Sequence, residues 1–431
     1  MRHFLILLMA VLCAFATPAI AVDDDVIVYT VKPGDTLITL GQKYLAKSSD
    51  YSLVQAQNAI RDARAIPVGT KLRIQRKYLK YRASAARVVS VRGNVTLLGA
   101  GRSSAATTGA SIGEGATVKT AANSFVTLSL ENGSRISLPS NSDLTIVRLR
   151  QYVIDNSLDH DFTVARGGAN SKVTPAKNPN DRYIMRTPKA TSAVRGTEFQ
   201  ARYDDATKND FSEVTEGALA VALPGGAATA LPAGNGLAVK ADGGVVKEAL
   251  LPPVTIENAG QLQKGRVVRF DLPRGDYSGL RVSLASDAGF VEQVADGRFT
   301  GDTAEFADVG DGNYFVRIRA ISANGIEGLP STYAFKRRLN SISASGGRDD
   351  SGFAFKWLGE GRGTLRYHFQ LFRGSPEGTA MVDEAGLTQQ QISLSDLPPG
   401  DYFWRVASVQ YLDGEVSTSW TEFEKLTVSA Q

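Results

Sequence analysis

Cysteine is almost missing from this chain: one residue, Cys13, in 431. It lies in a short apolar stretch, 4–16, behind Arg2 and ahead of Ala19, Ile20 and Ala21. A positive residue, a brief apolar run and an A-x-A site make the pattern of a cleaved export leader, expected over 1–21. The run is too short to span a bilayer. Leu12 precedes Cys13 where a lipidated cysteine needs a small residue, so no lipid anchor is expected there. With the leader gone the chain has no thiol. That excludes disulfides, a thiolate nucleophile and thiolate metal ligands. An exported protein without disulfides has to be held by its buried cores.

Histidine is nearly as scarce, three residues in all. Beyond the leader only His160 and His368 remain, and zinc hydrolases need two or three histidine ligands close together. His160 stands between Asp159 and Asp161, which reads as an exposed polar loop. No G-x-S-x-G elbow precedes a helix. The 44 acidic residues supply many carboxylate pairs, so counting alone does not exclude a two-carboxylate glycosidase. Charge excess is small as well, 48 basic against 44 acidic residues, which is not the footprint of a nucleic-acid binder. No run beyond the leader reaches about 18 apolar residues, so no membrane-spanning segment is expected. No metal, cofactor or nucleic-acid partner is implied.

Among what is present, 42 glycines and many Val, Thr and Ser residues point to strands and turns. The length suggests roughly three or more folded units. Only 26–76 has helical spacing: Leu37, Leu40, Tyr44 and Leu45 fall on one face, with Thr36 as a candidate N-cap. A second helix is expected over 52–58. Strands at 27–31 and 71–74 complete a β-α-α-β order. The basic stretch 76–82, RKYLKYR, reads as a solvated linker. Over 87–246 the period is two. Asn132-Gly133 suggests a type I′ hairpin between 126–130 and 136–138, and Gly93-Asn94 a second hairpin. After the stiff 250–253, LLPP, comes an internal repeat: 312–319, GNYFVRIR, matches 400–407, GDYFWRVA. The units are then 26–76, 87–246, 254–337 and 339–428.

Residues 29–37, YTVKPGDTL, together with Asn58 and 66–74, IPVGTKLRI, resemble the LysM family. The resemblance implies a domain that binds N-acetylglucosamine-containing glycans such as peptidoglycan strands. Its groove lies between the loop after the first strand and the loop before the last. Carried onto this chain, the groove residues are Gly34, Asp35, Thr36, Leu37, Ile38, Ala65, Ile66 and Pro67. Gly34 permits close backbone approach. Helix-start N–H groups can meet an N-acetyl carbonyl, and Leu37, Ile38 and Ile66 can cover a sugar face. The family often has an aromatic where Ile38 stands.

Residues 186–199, RTPKATSAVRGTEF, followed by 213–221, EVTEGALAV, resemble the FecR-type domain, with 113–120, GEGATVKT, before them. This implies an all-β, rolled or solenoid-like envelope domain. In iron signalling that domain sits in a membrane-spanning sigma-factor regulator, a role this chain's pattern does not share. Arg195, Gly196 and Thr197 read first as a fold motif, with Arg195 pinning a turn through bonds to carbonyls. Both C-terminal repeats resemble fibronectin type III or Ig-like sandwiches, and 397–402, LPPGDY, looks like a tyrosine corner. The expectation is a mainly β, multi-domain, periplasmic and non-catalytic scaffold anchored to cell-wall glycan, its β-domains serving as spacers or as surfaces for an envelope protein. The alternative is an envelope signalling protein whose FecR-type domain contacts a membrane receptor.

Overall fold

The computed structural model describes residues 25–99, 101–349 and 352–429. The expected leader, 1–21, lies outside the described residues, and Cys13 with it.

In the first unit β1 (Val26–Thr30) pairs antiparallel with β2 (Lys71–Gln75), Val26 opposite Gln75 and Thr30 opposite Lys71. Between them run α1 (Leu37–Tyr44), a 3-10 turn (Ser48–Asp50) and α2 (Tyr51–Gln57). Thr36 caps α1 in a reciprocal pair with Thr39: each side chain accepts the other's backbone N–H. Strand alternation turns Ile27, Tyr29, Leu72 and Ile74 onto the helices, where Leu37, Leu40, Leu45 and Val54 meet them. Asn58 then clamps α2 to β2, its Nδ2 donating to Arg73 O at 2.9 Å and its Oδ1 accepting from Arg73 N at 2.7 Å.

This core is not self-contained. Tyr152 and Ile154, from the next unit, complete it. The basic stretch 76–82 is no solvated linker. Arg76 is 4% exposed, lies 5.3 Å from the Tyr152 ring and donates from Nη2 to Asn180 O at 2.6 Å. After it, β3 (Tyr81–Ala83) pairs with the strand Asp143–Tyr152. Long basic side chains bury their stems readily, and here the stretch is the seam between two units.

The middle unit is a rolled β-structure that closes around one core. Two runs of strands share the long strand Leu158–Lys172. Its first part pairs with Asp143–Tyr152 and, in parallel, with Arg182–Arg186. Its last part pairs with Arg135–Leu138 and Glu198–Asp204. The hairpin at 132–133 is present, but its turn differs from expectation. Leu130 N–H donates to Ser134 O at 2.8 Å, and Gly133 takes φ +85° while Asn132 stays at negative φ. This is a three-residue loop with glycine in the left-handed position, not a type I′ turn. The second expected hairpin is absent. Ala86–Arg92 pairs with Phe125–Ser129, whereas Val95–Gly99 pairs with Thr117–Thr120. Val88 and Val95 close on one core from different layers, which a local turn signal does not reveal.

The first sandwich sets the pair Val268–Asp271 and Thr303–Phe306 against a four-stranded sheet, Gln293–Phe299, Gly279–Ala285, Gly312–Ile321 and Ser331–Arg337. The second packs a three-stranded sheet against the sheet centred on Gly400–Leu412. Both tyrosine hydroxyls bond back four residues: Tyr402 to Pro398 O at 2.7 Å and Tyr314 to Gly310 O at 3.1 Å.

Candidate functional site

Backbone bonds assemble the expected glycan groove: Val31 N–H donates to Thr70 O and Gly69 N–H to Val31 O, both at 2.9 Å. Leu37 N–H donates to Ala63 O at 2.8 Å, tying the start of α1 to the loop before β2. Gly34 has φ +87° and open space where a Cβ would stand. Asp35 braces the loop, its Oδ2 accepting from Tyr29 OH and Lys32 N–H, both at 2.8 Å. Burial raises the Tyr29 hydroxyl's pKa, and the bond to Asp35 raises it further. Asp35 and Thr36 are therefore engaged within the loop.

Of the apolar groove residues, Leu37 is 1% exposed and Ile66 8%. Both side chains belong to the unit's core and are not open to a sugar. The N–H groups of Leu37 and Thr39 are likewise occupied. What the two loops present outward is Gly34, Ala65 and Pro67, with Ile38 half-buried. Val68, which sequence reasoning passed over, is 63% exposed beside them. A β-branched residue at a turn next to glycine was its only signal.

The seam behind this unit holds a buried charge network. Arg182 grips Asp159 with two bonds, Nε to Oδ1 at 2.8 Å and Nη2 to Oδ2 at 3.0 Å. Tyr152 OH reaches Asp159 Oδ2 at 3.2 Å, and Asp25 lies 3.0 Å from Arg182. Arg148 and Arg186 hold Asp161 at 2.7 and 3.0 Å. Burial pushes the Asp159 pKa up, yet Arg182, backed by Arg76 and Arg148, holds it below the usual carboxylate range. The loop expected at 159–161 is thus a core strand. His160 is 2% exposed, beside the rings of Phe162 and Tyr183. Burial lowers its pKa to about 4.

Thr197 performs the fold role foreseen for its motif, donating to Ala218 O at 2.9 Å. Arg195 does not. It is exposed and has no hydrogen-bond or ionic partner among the described residues. Gly196, at φ +75°, lets the turn pass Pro175, whose Cα would stand 2.9 Å from an added Cβ. Among the described residues no group of three or more His, Cys, Asp or Glu is placed to hold a metal.

The LysM domain family model matches residues 29–75, and the FecR protein family model matches residues 116–220. The chain carries a LysM domain and a FecR domain. No curated protein matches it. Among solved structures, a candidate anti-sigma factor from Parabacteroides distasonis is 17% identical over 31% of this chain, with a TM-score of 0.26. This chain spans 59% of the length of that structure. A two-domain fibronectin type III segment of chicken tenascin is 13% identical, covering 38% of this chain and 94% of its own, with a TM-score of 0.19. Fibronectin(III)-like modules of Clostridium thermocellum CbhA are 14% identical, covering 41% and 93%, at 0.19. TM-scores this low describe no shared overall arrangement. No helix among the described residues is long and apolar enough to cross a membrane, which is a statement about helices alone.

Proposed function

We propose that the protein is a non-catalytic scaffold of the periplasm that holds peptidoglycan through its LysM domain. Units over 26–76, 87–246, 254–337 and 339–428 are part of this reading. The observation that supports it is the LysM match at 29–75, on a unit whose two loops are joined by the Leu37–Ala63 bond. Gly34, Ile38, Ala65, Pro67 and Val68 form its glycan-facing lip, and Asp35 and Thr36 hold the lip in shape. N-acetylglucosamine offers an apolar face and an acetamide, and this lip offers small apolar side chains and close backbone. One such domain binds weakly, so retention at the wall gains from several copies held together.

The test is sedimentation of the leaderless chain with purified insoluble peptidoglycan, beside an Ile38→Asp variant. The wild-type chain is expected in the pellet and the variant in the supernatant. Equal sedimentation of both would remove the lip from the reading.

A second reading keeps the FecR domain as a regulatory contact for another envelope protein. The buried Asp159 network favours it, because wall-bound LysM would be joined stiffly to that domain. Cross-linking in cells that traps one membrane protein on the FecR face supports this reading.

A further inference from the structure

The FecR unit contains a cavity of about 240 Å³ between the strands carrying His160 and Tyr183 and the segment 173–178. That is just under the ~300–1,000 Å³ of drug-sized sites, so it suits a small ligand. Val173, Tyr183 and Val194 line it, and all three are buried. Tyr183 turns its hydroxyl away to Ser171 and presents its ring. His160, 2% exposed, also lines the cavity and has no hydrogen-bond partner among the described residues.

The mouth has an excess of positive charge, Lys177, Arg182 and Arg195 against Asp181. Lys177 and Arg195 stand at it, both exposed and both without an ionic partner among the described residues. The nearby carboxylates are engaged. Asp181 accepts the N–H groups of Leu158, Lys177 and Asn178 at 2.8, 3.1 and 2.9 Å. Asp159 belongs to Arg182. The cavity therefore has an apolar wall of Val173, Tyr183 and Val194 with His160 beside it, amide side chains around it, and two exposed cations at its entrance.

We propose that this cavity binds a small carboxylate with an apolar, hydroxyl- or carbonyl-bearing body. The carboxylate sits on Arg195, whose planar fork suits it, with Lys177 beside it. The body lies against Tyr183, Val173 and Val194, and its polar atom meets His160. Two of the three residues of the Arg195-Gly196-Thr197 motif build the turn, which leaves the third free to bind. The site is independent of glycan binding by the LysM domain.

The probe is 6-hydroxy-2-naphthoate, titrated into the full leaderless chain beside its neutral carboxamide. Binding is followed by fluorescence and by the ring resonances of His160, with His368 on the last unit as the internal control. The acid is expected to bind saturably, to shift His160 and to leave His368 unmoved. Arg195→Gln, a change at an exposed side chain, is expected to weaken the acid by about tenfold and the carboxamide hardly at all. Acetyl-alanyl-alanine is then added as competitor. Displacement points to the carboxylate of a peptide end, and no displacement points to a free acid; both support the site. The proposal is overturned if the acid does not bind, if acid and carboxamide bind equally, or if His160 does not respond.

Discussion

Leu37 and Ile38 are neighbours in sequence with opposite fates. Leu37 is 1% exposed in the LysM core, so Leu37→Asp unfolds that unit and says nothing specific about glycan. A buried, unpaired carboxylate there costs several kcal/mol. Ile38→Asp lies at the half-buried lip and is expected to change stability by under about 1 kcal/mol while abolishing sedimentation with the wall. Circular dichroism melts beside the sedimentation assay separate the two effects. His160 and Asp210 make a second pair, set against each other by pH. Burial lowers His160 to about 4 from an ordinary 6.5. The unfolded chain therefore gains a proton between pH 7 and 5 that the folded chain refuses, and stability falls by about 2 kcal/mol. Burial raises Asp210 to about 6 from 3.8. Here the folded chain takes the proton first, and stability rises by about 1 kcal/mol over the same interval. The two slopes oppose. Asp210→Asn should steepen the loss of stability on acidification, and His160→Gln should remove it and leave the Asp210 gain, as read by urea unfolding at pH 7 and pH 5. Parallel pH slopes in all three proteins would contradict both pKa shifts.

At the scale of elements, the strand Leu158–Lys172 shows what was legible and what was not. Periodicity and caps gave the LysM helices closely: Thr36 caps α1, and α2 starts at Tyr51, one residue before expectation. Those signals are local, and so is the tyrosine corner, where Tyr402 bonds Pro398. The sequence Asp159-His160-Asp161 misled because polarity normally means exposure. The exception depends on partners far along the chain: Arg182 for Asp159, Arg186 for Asp161. The groove was legible as loops but not as side chains, since burial of Leu37 and Ile66 depends on how α1 meets β2. The same long-range pairing makes Asp159 the most sensitive acid of the seam. Asp159→Ala leaves Arg182 and Arg76 with only the half-exposed Asp25 as counter-charge, and should cost about 3 kcal/mol. Glu114→Ala breaks a pair with Arg150 whose side chains are 31% and 20% exposed, and should cost about 1 kcal/mol or less. Urea midpoints of the two variants, measured side by side, test this ordering.

Over the whole molecule, each C-terminal unit leans back on the one before it through the same hairpin. In the first sandwich the turn at 322–327 enters the FecR domain. Ile326, 1% exposed, packs with Phe211, Ala238 and Leu250. Arg202 Nη2 donates to Gly325 O at 2.9 Å, and Glu327 N–H donates to Glu213 Oε1 at 3.1 Å. Glu327 itself lies 3.6 Å from Arg202 and 3.8 Å from Arg281. Burial pushes the Glu327 pKa up, but these guanidiniums and Arg319 overcome it and bring it down to about 2. In the second sandwich the matching hairpin, around Asp413 and Gly414, meets its predecessor at the surface. Glu415 pairs with Lys336 while 60% exposed, and Lys264 Nζ reaches Thr418 O at 2.6 Å. One joint is therefore apolar, charged and closed, and the other is polar, with exposed ion pairs around the buried Asn340, whose N–H donates to Lys264 O at 3.0 Å. Exposed ion pairs contribute little and are screened by salt, whereas removing one partner of a buried network leaves the rest uncompensated. The first joint should hold its angle and the second should swing. No cysteine occurs beyond Cys13, so paired spin labels on introduced cysteines read each joint without interference. Distances across the FecR–sandwich joint are expected to be narrow and indifferent to salt, and to broaden in Glu327→Ala. Those between the sandwiches should be broad from the start and change little in Lys336→Ala. Equal widths at both joints would mean that burial of the first hairpin does not set the stiffness of the chain, and a stiff link between wall anchor and distal units would lose its physical basis.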